Sequence, residues 1–197
     1  MNVRQTSRLR LRLMALQDVE NIHALIYSDP EVALPFVGHL VTLDALRAPN
    51  ALLTRIARVA DEPGLLVVER SGDRAILGVA GFVEIRPDDV ARRFAPPDVP
   101  DVPGADPSRR EAEFAIALGR SYWNRGYATE AATALIEIGF GTLHLDRIVA
   151  SVAAGNERGL KLLRGLGFRI VPNRVTDFRA EGAQPGSIGL LDAPARS

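Results

Sequence analysis

The chain has 197 residues, of which 47% are hydrophobic, 24% charged and 6% aromatic, a globular composition rather than that of a disordered chain or a fibre. Its 24 basic and 24 acidic residues cancel, which argues against nucleic acid or an anionic membrane as a partner but leaves room for a local basic pocket. With no cysteine, disulfides, thiolate metal sites and cysteine nucleophiles are excluded.

A soft prior of roughly 150 residues per domain makes a single domain over residues 1–197 the expectation. No apolar run reaches membrane-span length, and Met1–Ser7 carries no signal-like apolar core, so the chain reads as soluble and cytoplasmic. Lys161 is the only lysine. The arginine excess reads either as compositional bias or as guanidinium forks for anions.

Leu9, Leu11 and Leu13 alternate with Arg8, Arg10 and Arg12, the period of a half-buried strand. Asp18 precedes a helical stripe of Val19, Ile22, Leu25 and Ile26 as its expected N-cap, and Asp29-Pro30 repeats the start signal. A helical pattern from Thr42 to about Val59 is interrupted by Pro49. Leu65–Val68 and Ile76–Val83 read as strands joined through Ser71-Gly72-Asp73. Six of the 13 prolines then fall between Pro87 and Pro107, marking an exposed loop insertion at about 86–110, either a flap or a tolerated surface insertion.

Phe114, Ile116 and Leu118 alternate up to Gly119 as a strand, after which Thr129 is the expected cap of a helix bearing Ala132, Leu135, Ile136, Phe140 and Leu143 on one face. Arg147–Val152 reads as a strand, and Asn156 as the cap of a helix that stops at Gly167. The tail over 172–197 is weakly patterned apart from a short strand at Ser187–Leu191. Strands and helices interleave with hairpins, giving one layered α/β unit on a mixed sheet.

Chemistry concentrates at Tyr122-Trp123-Asn124-Arg125-Gly126-Tyr127-Ala128-Thr129-Glu130-Ala131, where a strand end turns into a helix N-terminus. Such a terminus offers amides without intrahelical partners and a positive dipole end, which suits phosphate oxygens. Gly126 lets the backbone approach closely, Ala128 does not block it, and Arg120 and Arg125 can add charge at the rim. Taken alone, a turn with one glycine is equally well an ordinary connection.

Glu111–Leu118 followed by Tyr122–Ala131 closely resembles the acetyl-CoA signature of the GNAT (GCN5-related) N-acetyltransferase family, in its RimJ/RimL-like branch. The similarity continues through Leu145–Val152 and Asn156 to Leu166-Gly167-Phe168, and Ser7–Arg12 and Ser28–Val32 also match. It covers most of residues 4–170, but neither the Pro-rich insertion nor the tail.

The resemblance implies an α/β acyl-CoA N-acyltransferase fold with a mixed central sheet of six or seven strands flanked by helices, two of them splayed to admit acetyl-CoA. It implies that Ile116, Ala117 and Leu118 pair with the pantetheine arm like an added strand. Amides of Trp123, Asn124, Arg125, Gly126, Tyr127, Ala128 and Thr129 would hold the pyrophosphate, and Asn156 would lie near the pantetheine. A homodimer is an expectation from the resemblance only. The chain also departs from the family. Leu163 stands where many relatives carry a tyrosine that protonates the thiolate, and Gly159 where some carry a serine. Water, Tyr122 or Tyr127 is left for that role.

Acyl transfer to an amine needs a neutral nucleophile, a stabilised oxyanion and a departing thiolate. The backbone N–H at Leu118 is the candidate oxyanion donor, and Glu113 the candidate base, acting through water; Glu113 reads equally as a salt-bridged strand carboxylate. Sparse acid–base equipment favours an α-amine or a small-molecule amine over lysine. His23, His39 and His144 lack ligand spacing, so no metal is expected. Trp123, Phe140 and Phe168 read as packing residues, while Phe36, Phe82 and Phe94 are candidates to line an acceptor pocket. The function expected is acetyl-CoA-dependent N-acetyl transfer, with a non-catalytic acyl-CoA-binding or interaction module as the rival.

Overall fold

A computed structural model describes residues 4–48, 64–85, 106, 108–173 and 186–194. The Pro-rich stretch at 86–105, the later part of the 42–59 helical pattern and most of the tail lie outside these residues, as does Phe94. The strands are β1 (Arg4–Gln5), β2 (Leu9–Arg12), β3 (Leu65–Arg70), β4 (Ile76–Glu84), β5 (Glu111–Leu118), β6 (Arg147–Val152), β7 (Arg169–Pro172) and β8 (Ser187–Asp192). They form one sheet in the order β1-β2-β3-β4-β5-β6-β8-β7. The β5–β6 pair is parallel, and its register covers Glu111↔Arg147 to Glu113↔Val149.

The class is the expected mixed α/β sheet, with eight strands in place of six or seven. The two that the pattern did not announce are β1, two residues long, and β7, four residues long. Among the described residues no helix is long and apolar enough to cross a membrane. The chain divides into two compact units, Met1–Phe82 with Ala115–Leu135, and Val83–Phe114 with Ile136–Ser197.

In the first unit, Leu9 and Leu11 are fully buried between part-exposed Arg10 and Arg12, as a period of two requires, but the strand ends at Arg12 and Leu13 is exposed. A 3-10 turn (Leu16–Asp18) leads into α1 (Val19–Ile22) and a π turn (His23–Tyr27), followed by α2 (Pro30–Val37) and α3 (Leu43–Arg47). Asp29 caps α2 by accepting from the Glu31 N–H at 3.0 Å, and Thr42 caps α3. Met14, Val19, Ile22, Ile26, Tyr27, Val32 and Leu46 pack on Leu65, Val67 and Val79. Fully burying one such aliphatic side chain is worth about 1.5–3 kcal/mol.

Asp18 is not the side-chain cap that the sequence suggests. Its carboxylate accepts from Arg12 at 2.7 and 2.9 Å and from the Ala15 N–H at 2.8 Å. Burial pushes the Asp18 acid up, but hydrogen bonds from Arg12 and Ala15 outweigh it and hold the group below its ordinary value. Arg12 also donates to the buried Glu69 at 2.8 Å, so both interior carboxylates are paired.

Gly78 sets how closely β4 approaches the end of β5. A Cβ there would lie 2.1 Å from the Ala117 carbonyl oxygen and 2.8 Å from the Leu118 Cα, both backbone atoms. Gly78→Ala is therefore expected to cost about 3 kcal/mol or more in urea unfolding. An unchanged midpoint would contradict that packing.

In the second unit, β6 pairs antiparallel with β8, and β8 with β7. Val149, Ile188 and Leu190 form a cluster with Ile85 and Val171 against it. Arg147, 3% exposed, donates to Asp192 at 2.7 Å, and Arg109 donates to the same oxygen at 2.8 Å. Asn156 caps α5 (Glu157–Gly165), as expected. Leu163 and Phe168 pack over Gly189, where any Cβ would come within 2.8 Å of Leu163.

Candidate cofactor site

Strand alternation orients the end of β5. The Gly119 N–H donates to the Leu77 carbonyl of β4 at 2.9 Å, and the Ala117 carbonyl oxygen lies against Gly78 on the same side. Successive residues of a strand turn their polar backbone groups to opposite edges. Those of Ile116 and Leu118 therefore point away from β4. The Leu118 carbonyl accepts from the Trp123 indole N–H at 2.7 Å, and the Trp123 ring packs against the apolar cluster of the first unit. This bond folds the chain back through the 3-10 turn Arg120–Tyr122.

Two left-handed residues follow, Asn124 at φ 58° and Gly126 at φ 78°. Helix α4 (Tyr127–Glu137) then starts at once, with the Glu130 N–H donating to the Gly126 carbonyl at 3.1 Å. Thr129, the expected cap, lies inside the first turn instead, and its carbonyl accepts from the Thr133 hydroxyl at 3.0 Å. The earlier start leaves the opening amides directed along the helix axis without intrahelical carbonyls. A Cβ built on Gly126 would meet one neighbour, Arg8 Nη2, at 3.3 Å. Beyond Glu137 a π turn (Ile138–Thr142) shifts the helical register, so Phe140 and Leu143 are half-buried rather than aligned with the buried Leu135.

Glu130 anchors this turn to the N-terminal segment. Its Oε1 accepts from the Thr6 hydroxyl (2.5 Å), the Ser7 hydroxyl (3.0 Å) and the Arg8 N–H (2.8 Å), and its Oε2 from Arg8 Nε (2.7 Å). Arg8 Nη1 donates to the Arg125 carbonyl at 3.1 Å, and the guanidinium carbon stands 4.7 Å from the centre of the Tyr127 ring. Arg70 approaches from the β3–β4 hairpin, hydrogen-bonded to Asp73 at 2.8 Å, with its guanidinium carbon 6.0 Å from the centre of the Tyr122 ring.

Partial burial pushes the Glu130 acid up, but the donors from Thr6, Arg8 and Ser7 prevail and hold it at about 2. A carboxyl depressed below its ordinary 4.5 contributes stability that is present above 4.5 and lost as pH falls toward 2. Wild type and Glu130→Gln should therefore differ in melting temperature at neutral pH and converge between about pH 4.5 and 2. Parallel curves across that window would show that the carboxylate contributes nothing.

Of the two expected rim arginines, Arg120 pairs with Asp29 at 3.3 Å, while Arg125 supplies the carbonyl that Arg8 binds. In the second unit, Glu113 is 4% exposed and stands opposite Val149 in the parallel register. Asn156 Oδ1 accepts from the Gly159 N–H at 3.0 Å, and a Cβ at 159 would come within 2.9 Å of Asn156 Nδ2. Glycine in place of serine lets the asparagine fold over its helix. Leu163 is 3% exposed and apolar, so it offers no proton. Ser151 Oγ on β6 is buried without a hydrogen-bond partner among the described residues. Phe82 is fully buried in the core, whereas Phe36 is half-buried and packs on Tyr27 with ring centres 6.2 Å apart. His23 Nε2 is 2.9 Å from the Val41 carbonyl oxygen, and no metal-holding cluster of His, Asp and Glu occurs among the described residues.

Sequence reasoning missed Arg8, Arg70 and the brace they form. Their neighbours in sequence give no signal, because their partners on the loop lie more than fifty residues away.

A family model described as an acetyltransferase (GNAT) domain matches residues 8–169. An uncharacterized N-acetyltransferase of Bacillus licheniformis, p20, is 31% identical over 169 residues, 83% of this chain and 80% of that protein. The spermidine N(1)-acetyltransferase of Escherichia coli (strain K12) is 32% identical over 81 residues, 41% of this chain and 44% of that protein. In fold the chain is similar to the crystal structure of spermidine N-acetyltransferase from Vibrio cholerae in complex with CoA and spermine. That match has a TM-score of 0.71 at 20% identity and covers 95% of this chain and 96% of that one.

Proposed function

The chain belongs to the GNAT acetyltransferase family and is an acyltransferase enzyme, and from that premise we propose that it moves the acetyl group of acetyl-CoA directly to a primary amine. The observation that carries the cofactor assignment is the turn at Asn124 and Gly126, which opens α4 at Tyr127 without a Cβ at its apex. Amides from Trp123 to Thr129 would hold the diphosphate, and the groups of Ile116 and Leu118 turned away from β4 would pair with the pantetheine arm on either side of Ala117. Asn156 would stand near that arm.

Bound acetyl-CoA supplies a thioester carbonyl for the amine to attack. The Leu118 N–H would donate to the oxyanion that develops there, a contribution of about 3–4 kcal/mol in comparable sites. Glu113 would accept the proton of the amine through water. As the C–S bond breaks, the thiolate would take a proton from water, Tyr122 or Tyr127, since Leu163 is apolar. The absence of cysteine removes any acyl-cysteine and favours direct transfer in a ternary complex.

The acceptor is a small-molecule amine or a protein α-amine. The partial match to a spermidine acetyltransferase supports a polyamine, and the Tyr122–Ala131 motif with Trp123 supports the RimJ/RimL-like branch and so an α-amine. We place the enzyme in the cytoplasm as a single domain over residues 1–197 with no nucleic-acid partner, in keeping with its zero net charge, and as a homodimer. The test is release of CoA thiol from acetyl-CoA with spermidine, peptides with a free N-terminus, and N-terminally blocked lysine peptides. Thiol release with one amine class and intersecting initial-rate lines are expected. Parallel lines would overturn direct transfer, and no release with any amine would overturn the assignment.

A further inference from the structure

We propose that Arg8 is the positioning residue for the cofactor diphosphate: it fixes the turn at residues 124–127 and presents its remaining nitrogen to the anion. This inference rests on the acetyl-CoA reading above. A diphosphate held by backbone amides needs those amides fixed beforehand, and two left-handed residues in succession around Arg125 do not fix themselves. Arg8 touches the turn at three points: the Arg125 carbonyl through Nη1, the Tyr127 ring through its face and Glu130 through Nε. The Nη1 bond to the Arg125 carbonyl fixes the peptide between the two left-handed residues.

The third nitrogen, Nη2, is the atom nearest to a Cβ built on Gly126, so it lies at the apex of the turn where the helix end favours negative charge. Only a planar fork meets a carboxylate, a carbonyl, an aromatic face and an anion together; a lysine ammonium does not. The backbone at Arg8 is held independently of this side chain. Its N–H donates to Glu130, its carbonyl accepts from the Ser71 N–H at 2.9 Å, and Thr6 and Ser7 keep Glu130 paired.

The experiment measures CoA affinity by calorimetry for the wild type, Arg8→Gln and Arg8→Lys, with melting curves of the same proteins. It also compares kcat/KM for acetyl-CoA and for S-acetylpantetheine, which lacks the diphosphate. Arg8→Gln should raise the Kd for CoA roughly tenfold or more, about 1.4 kcal/mol per decade, and lower kcat/KM for acetyl-CoA alike. Its kcat/KM for S-acetylpantetheine should stay within about twofold of wild type, and Arg8→Lys should recover part of the loss. If Arg8→Gln does not fold, Arg8→Lys, which keeps the stem and the charge, carries the comparison. Unchanged CoA affinity, or equal losses for the two acyl donors, would overturn the role. A wild-type protein that binds no CoA would instead overturn the cofactor reading itself.

Discussion

Gly126→Glu is expected to abolish the rise in melting temperature that CoA produces and to weaken CoA binding more than about a hundredfold. Two effects add at this position. Any L side chain at φ 78° is strained by about 1–2 kcal/mol. The new carboxylate would also reach Arg8 Nη2, which lies 3.3 Å from the Cβ position, and place negative charge where the diphosphate goes. Gly126→Ala carries the strain without the charge and separates the two, so its loss should be far smaller. CoA binding by the Glu variant at wild-type strength would refute the placement of the diphosphate on this turn.

Glu113→Gln is expected to lower kcat about a hundredfold or more while leaving CoA affinity in place. The deficit should also depend on the acceptor. An α-amine with a pKa of about 8 is partly neutral near pH 7.5 and needs little help, whereas an alkylammonium near 10.4 depends on a base. A larger deficit with spermidine than with a peptide N-terminus would accord with that role. An unaltered kcat with both acceptors would remove Glu113 as the base and leave it a buried strand carboxylate.

Much of the strand pattern was legible because period two survives wherever one face is buried. Leu9 and Leu11 show it plainly. In β5 the same rule was only half right: Ala112, Glu113 and Phe114 are buried in succession while Ile116 is half-exposed. A strand inside a sheet is covered on both faces and loses strict alternation. The short edge strands β1 and β7 carry too few residues for any period to emerge.

The motif from Tyr122 to Ala131 does mark a turn into a helix, but the cap is not the residue the sequence suggests. Thr129 carries the usual capping chemistry, yet the left-handed pair at Asn124 and Gly126 begins the helix earlier, at Tyr127. In the proposed site, a cap hydroxyl would take an amide assigned to the diphosphate. Asn156, with no such competing demand, caps its helix as expected. In the sequence, Arg8 is one charged position of an alternating strand. Its partners, Arg125, Tyr127 and Glu130, lie more than a hundred residues away, where a single sequence gives no signal.

The most direct measurement of the central claim is a CoA titration followed by backbone amide NMR. The largest perturbations are expected at the amides of residues 123–129 and at Ile116 and Leu118, with those of α2 and α3 little changed. Perturbations centred elsewhere, with this turn unmoved at saturating CoA, would contradict the account.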